Sequence, residues 1–173
     1  MQTSDRILTA ANALTLFRLL LVPVILWLLL AERDLLAALA FVAAGVTDFF
    51  DGRLARRSAP TQIGQLLDPA ADRLLLSGCA VVLAVRGILP VWAVVILVAR
   101  DLLAVTGGLV FRGRLRVNFV GKLATAALMA ALAALIFGLR ELGLLLFYGG
   151  FVLSLVSGGI YAAEALRRKE VKP

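Results

Sequence analysis

Four aspartates stand in two closely spaced pairs in the first half of the chain. The stretch VTDFFDGRLARR, residues 46–57, carries Asp48 and Asp51 three positions apart, and Asp68 and Asp72 follow four positions apart. Residues three or four apart share one face of a helix, so each pair would present two carboxylates on the same side. Carboxylates at membrane depth are costly and usually mark function. The question is therefore what chemistry needs four of them.

The two pairs predict a site for hard metal ions. A short loop, RSAPTQIG at 57–64, joins the two helices and would make them antiparallel neighbours, which brings the pairs together. Four unpartnered carboxylates would repel one another, whereas Mg²⁺ or Mn²⁺ takes oxygen ligands and serves phosphate chemistry. The chain has no histidine, so acid–base and metal chemistry must use carboxylates. Spacing alone leaves open which aspartates hold metal and which acts as a base.

Small and basic residues surround the acids. Gly52 and Gly64 leave the backbone open to a bulky polar ligand, and Ala55 keeps the face beyond Asp51 clear. Arg56 could pair with a phosphate or with a carboxylate. A purely structural alternative has the four acids paired with arginines in salt bridges, the candidates being Arg53, Arg56, Arg73 and Arg100.

The composition indicates an all-α integral membrane protein. The 173 residues are 62% hydrophobic, with a mean hydropathy of +0.99, far from a soluble domain. We predict a single domain, 1–173, and no cleavable signal peptide, because the N-terminus is charged. The lone Cys79 allows no internal disulfide. The six predicted transmembrane helices are 11–31, 35–57, 63–85, 89–111, 119–139 and 142–165.

The net charge of +7 is distributed as a membrane topology would distribute it. Successive connections between the helices would lie on alternate sides of the membrane. One side then receives thirteen lysines and arginines, and the other receives three. The richer side has Arg6, Arg18, Arg53, Arg56, Arg57, Arg112, Arg114, Arg116, Lys122, Arg167, Arg168, Lys169 and Lys172; the other has Arg33, Arg86 and Arg140. The positive-inside rule then places both termini in the cytoplasm and the acids at the cytoplasmic ends of helices 2 and 3. The basic excess sets orientation and meets anionic lipid headgroups, and a nucleic-acid partner is not expected.

The acidic segment resembles a known family signature. DFFDGRLARRSAPTQIGQLLDPAAD resembles that of the CDP-alcohol phosphatidyltransferases, Asp-x-x-Asp-Gly-x-x-Ala-Arg, a spacer, then Gly-x-x-x-Asp-x-x-x-Asp. All its defining residues are present: Asp48, Asp51, Gly52, Ala55, Arg56, Gly64, Asp68 and Asp72. The spacer between Arg56 and Gly64 has seven residues, one fewer than the family usually shows. NALTLFR in the first helix and GKLAT in the fifth extend the resemblance.

The resemblance implies a reaction and roles. Family members transfer a phosphatidyl group from CDP-diacylglycerol to an alcohol and release CMP. By analogy, two divalent ions, Mg²⁺ or Mn²⁺, would sit among the four aspartates, with Asp72 as the general base. The CDP-lipid site would be lined by Gly52, Ala55, Arg56, Gly64, Asn12 and Thr15, with Arg18 in the same element near the cytidine or diphosphate. Helix capping is the alternative for Asn12. A homodimer in the bacterial plasma membrane is also implied.

Weaker features concern the acceptor alcohol. Arg100–Asp101, Arg73 and Leu128 resemble an actinobacterial branch of the family that joins CDP-diacylglycerol to phosphatidylglycerol, forming cardiolipin. Glycerol 3-phosphate is the alternative acceptor. Either acceptor is anionic and needs fixed cations, for which Arg116, Lys122 and Arg100 are the candidates.

Other classes of protein fit the pattern less well. A small ion transporter would place carboxylates near the bilayer midplane and would have no use for the glycine and alanine positions. An intramembrane prenyltransferase rich in aspartate would need a longer chain. A purely structural membrane protein would not need the organised acids at all.

Overall fold

The computed structural model describes residues 10–54, 62–110 and 119–170, which form six α-helices and no strand. They are α1 (Ala10–Leu30), α2 (Asp34–Leu54), α3 (Gln62–Val85), α4 (Val91–Val110), α5 (Phe119–Ile136) and α6 (Arg140–Glu170). The predicted helices coincide with these to within about three residues at the comparable ends, except that α6 continues past the predicted end at 165. The all-α prediction is confirmed.

Three helices end in the same hydrogen-bonded turn. After α5, the N–H of Gly138 donates to the Leu135 carbonyl at 3.0 Å, and the N–H of Leu139 donates to the Ala134 carbonyl at 2.9 Å. This pair of bonds is a Schellman motif, which needs a left-handed residue at its centre. The central residues of the three turns are Glu32 (φ 56°) after α1, Gly87 (φ 72°) after α3 and Gly138 (φ 82°) after α5. Each turn lets the next helix begin within a few residues.

The helices fall into two compact units, Met1–Val82 and Leu83–Pro173, with the boundary in the last turn of α3. In the first unit, α1 and α2 pack as a hairpin. The buried face of α1 repeats at Arg18, Val22, Ile25 and Leu29, and that of α2 repeats at 37, 41 and 44. Both follow the three-and-four spacing of a helix face.

In the second unit, α5 and α6 are joined along a seam that repeats every seven residues. A Cβ added to Gly143 would lie 2.6 Å from Leu135 Cγ, and one added to Gly150 would lie 3.0 Å from Leu128 Cγ. The next step brings Gly121 of α5 against Ser157 of α6, where an added Cβ would lie 2.9 Å from the Ser157 hydroxyl oxygen. The α5 numbers fall by seven as the α6 numbers rise by seven, which is the register of two antiparallel helices packed as in a coiled coil.

Glycines in α6 divide into two groups. Gly150 lies in the seam, as its small size suggested. Gly149 and Gly159 would have nothing within 4 Å of an added Cβ, and at Gly158 the nearest atom would be Arg100 Cγ at 3.8 Å. Of these four glycines, Gly150 alone lies where two helices pack closely.

Large apolar side chains are exposed on the described helices. Trp27 is 60% exposed, Val95 59% and Leu145 72%, far more apolar surface than a soluble monomer presents. By length and composition, Phe119–Ile136 and Arg140–Ile160 could cross a membrane, and Leu16–Leu30 and Asp34–Thr47 are shorter apolar helices. The two long helices support membrane embedding, and the complete six-span topology stays a prediction.

Candidate active site

The four signature aspartates all belong to the first unit. Asp48 and Asp51 lie in the last two turns of α2, and Asp68 and Asp72 lie in the first three turns of α3. In α3, Asp72 is followed at helical spacing by the buried residues Leu75 and Cys79. Asp72 therefore lies on the inward-facing side of α3.

Asp72 is the one signature aspartate whose side chain the structure describes. Among the side chains described, no three acidic, cysteine or histidine groups come together, since Asp48, Asp51 and Asp68 are outside that set. The four-carboxylate cluster stays a prediction.

Asp72 makes a salt bridge with Arg18 of α1. The Nη1–H of Arg18 donates to Oδ1 of Asp72 at 2.8 Å, across 54 residues of sequence. The Arg18 side chain is 2% exposed, while that of Asp72 is 27% exposed. A charged hydrogen bond of this length is strong. The pair joins a guanidinium buried in the unit to a carboxylate that a ligand can reach.

A second contact shows that α1 and α3 run in the same direction. A Cβ on Gly78 of α3 would lie 3.1 Å from Cδ2 of Leu26 in α1. Moving from the salt bridge to this contact advances both helices toward their C-termini, by eight residues in α1 and six in α3. At 1.5 Å per residue, Arg18 lies about 12 Å from Ala10, the first residue of α1. Asp72 lies about 15 Å from Gln62, the first residue of α3. The bonded pair therefore lies at a common depth.

Several predicted donor-site residues can be placed only by element. Asn12, Thr15, Gly52 and Gly64 belong to helices α1, α2 and α3, but their side-chain surroundings are not described. Because α1 is already helical at Ala10, Asn12 lies inside the helix and not at its N-cap. Ala55, Arg56 and Arg116 lie outside the described residues.

The acceptor candidates that are described belong to the second unit. Arg100 donates from Nη1 to Oδ1 of its neighbour Asp101 at 2.9 Å, so part of its guanidinium is already engaged. Lys122 is exposed on the first turns of α5, beside Gly121, whose carbonyl accepts the Thr125 hydroxyl at 3.0 Å. The ammonium of Lys122 is thus accessible to an anion, while Arg100 is oriented by Asp101.

Sequence reasoning missed the partnership of Arg18 with Asp72. The family resemblance placed Arg18 near the cytidine or diphosphate of the donor. The purely structural explanation of the four acids paired them with other arginines. The available signal was the spacing of Arg18 to Val22, Ile25 and Leu29. That signal is weak in a helix that is apolar on every side, because no polar face identifies the direction of the core.

Comparison with known proteins agrees with the signature. The family model for CDP-alcohol phosphatidyltransferase matches residues 8–156, which cover most of the chain and run through both units. This chain belongs to the CDP-alcohol phosphatidyltransferase family. It is a transferase of phospholipid biosynthesis, and its bacterial relatives are membrane-bound enzymes.

Three relatives of this chain have names that describe phospholipid-forming enzymes. A cardiolipin synthase (CMP-forming) of Streptomyces coelicolor is 42% identical over 144 residues, covering 77% of this chain and 67% of the relative. A CDP-diacylglycerol–glycerol-3-phosphate 3-phosphatidyltransferase of Bacillus subtilis is 34% identical, covering 72% and 75%. A probable phosphatidylglycerophosphate synthase of Mycobacterium tuberculosis is 31% identical, covering 94% and 84%.

Proposed function

We propose that this enzyme transfers the phosphatidyl group of CDP-diacylglycerol to phosphatidylglycerol, forming cardiolipin and releasing CMP. The observation that carries the proposal is the reachable carboxylate of Asp72, fixed by Arg18 on the inward stripe of α3 at a signature position. Support for this acceptor comes from the relative in Streptomyces coelicolor, which is the most similar of the three compared.

The reaction needs a base at one defined place. The acceptor hydroxyl gives its proton to the Asp72 carboxylate, and the resulting oxygen forms a bond to the phosphorus that carries diacylglycerol. The bond between that phosphorus and the oxygen of CMP breaks, and CMP leaves with the electron pair. Oδ1 of Asp72 accepts from Arg18, so this contact orients the carboxylate that takes the proton.

The donor set fits a hard divalent cation. The four signature residues offer only carboxylate oxygens, and the chain has no histidine, so Mg²⁺ or Mn²⁺ suits it better than a softer metal. Asp48, Asp51 and Asp68, with Asp72, would hold two ions. When bound, they would neutralise the diphosphate and stabilise the departing CMP.

Glycerol 3-phosphate is the second candidate acceptor, favoured by the names of the relatives in Bacillus subtilis and Mycobacterium tuberculosis. Both acceptors carry a phosphate. Lys122, Arg100 and Arg116 are the proposed cations for it, and Lys122 has the exposed ammonium.

The proposal places the enzyme in the bacterial plasma membrane with six spans and both termini in the cytoplasm. The charge asymmetry of the connections supports this topology, and the exposed apolar side chains support contact with lipid. Homodimerisation is proposed from the family likeness.

Release of CMP by the purified enzyme tests the function. CDP-diacylglycerol would be supplied with Mn²⁺ or Mg²⁺ and with either phosphatidylglycerol or glycerol 3-phosphate. Faster turnover with phosphatidylglycerol is expected, and chelation of the metal should stop it. Preference for glycerol 3-phosphate would reassign the acceptor and leave the donor chemistry intact. No CMP with either acceptor would refute both assignments.

A further inference from the structure

We infer that Arg18 is the positioning residue for the Asp72 carboxylate, and that its task is to fix the orientation in which this carboxylate meets the acceptor hydroxyl. The inference rests on the proposed function, in which Asp72 is the base. It assigns to Arg18 a role directed at the proton-accepting group, which differs from a role at the cytidine or diphosphate of the donor.

The contact itself limits how the carboxylate can turn. An aspartate side chain on a helix has few rotamers, but its carboxylate rotates freely about the last bond. The 2.8 Å bond from Nη1 of Arg18 to Oδ1 stops that rotation. Once Oδ1 is held, the carboxylate is limited to the orientations that keep this bond.

Burial makes the arginine a rigid support. Arg18 is 2% exposed and follows the same stripe as Val22, Ile25 and Leu29, all buried. The guanidinium is held by packing along α1, while Asp72 remains 27% exposed. A guanidinium that is 2% exposed offers little surface to the diphosphate of the donor. The observed asymmetry therefore favours support of Asp72 over direct binding of the donor.

The helices that carry the pair are themselves held together. Leu26 and Gly78 pack α1 against α3 farther along the same interface. Both contacts join α1 to α3, but only the contact of Arg18 touches the Asp72 carboxylate. A loss of about 1 Å in the placement of a reacting group can cost about 100-fold in rate.

The test is steady-state kinetics of purified Arg18→Ala with equilibrium binding of CDP-diacylglycerol. We expect kcat for CMP release to fall about 100-fold, with the KM values for donor and acceptor and the donor affinity within about threefold of wild type. Arg18→Lys, which keeps a cation but offers a shorter and less directional donor, should restore part of kcat.

Two control variants separate positioning from general loosening. Leu26→Ala weakens the packing of α1 on α3 without touching the carboxylate, and Arg33→Ala removes an exposed arginine from the turn after α1. Leu26→Ala should lower the unfolding temperature and leave kcat per folded molecule near wild type. Arg33→Ala should change neither the unfolding temperature nor kcat. If Arg18→Ala does not fold, a lowered kcat at unchanged KM in Arg18→Lys carries the test.

Two results would overturn the inference. One is an unchanged kcat in folded Arg18→Ala and Arg18→Lys, which would make the pair a structural link only. The other is a large rise in the KM for the donor with kcat retained, which would show that Arg18 binds the diphosphate of the donor. Wild-type turnover in the same assay reports separately on the proposed function, so failure of one is distinguishable from failure of the other.

Discussion

At the scale of single residues, the signature aspartates are not equivalent. Asp72 has a buried arginine as its partner and still exposes a quarter of its side chain. That combination suits a base, because the arginine fixes the carboxylate while part of the side chain stays exposed. Asp51, three positions from Asp48 near the end of α2, is proposed to hold metal. Substitutions at the two positions should therefore fail in different ways.

Asp72→Asn should abolish turnover and largely spare metal-dependent binding of CDP-diacylglycerol, because the amide keeps an oxygen for Arg18 but cannot take a proton. Asp51→Asn should lose Mn²⁺ and donor binding together. Donor titrations with and without Mn²⁺, beside CMP release, separate these outcomes. CMP release at the wild-type rate by Asp72→Asn would remove Asp72 from the role of base.

At the scale of elements, glycine positions decide how closely helices approach. The long apolar runs allowed the helix boundaries to be predicted closely. The seven-residue seam between α5 and α6 was not predicted, because both helices are rich in small residues and their sequences do not show which ones face each other. Only the paired positions, such as Gly143 with Leu135, identify the face.

Gly143→Ala should destabilise the protein by about 1–3 kcal/mol, the usual cost of overpacking. Its new Cβ would lie 2.6 Å from Leu135 Cγ and 2.9 Å from the Leu135 backbone nitrogen, and a backbone atom cannot move aside cheaply. Gly149→Ala is the matched control on the same helix, with nothing within 4 Å of its added Cβ. Thermal unfolding in one detergent compares them, and equal melting temperatures would argue against the seam.

At the scale of the whole molecule, sequence alone led to the family, the six helices and the donor chemistry. The long acidic signature identified the enzyme class because its residues perform the shared chemistry. It did not settle the acceptor, since Arg100 and Lys122 are cations suited to any phosphate. The Arg18–Asp72 bond was also out of reach, because it joins residues 54 positions apart that no local pattern connects.

The topology can be tested by labelling introduced cysteines, with the wild-type protein as the control that should not be labelled. Cys79 is fully buried, so wild type should not react with a membrane-impermeant maleimide. Arg33→Cys and Arg140→Cys occupy exposed positions near two of the tight turns and should be labelled from outside intact cells. Arg114→Cys, in the basic connection before α5, should be labelled only after permeabilisation. The opposite pattern would invert the proposed orientation.

The Arg18–Asp72 bond also has a consequence for biosynthesis. Chains are made from the N-terminus at about 5–20 residues per second, so Arg18 is synthesised about 3–11 s before Asp72, which lies 54 positions later. Over that interval Arg18 lacks its Asp72 partner, and an arginine near lipid without a partner is costly. We therefore expect α1 to reach its final packing only after α3 has been made.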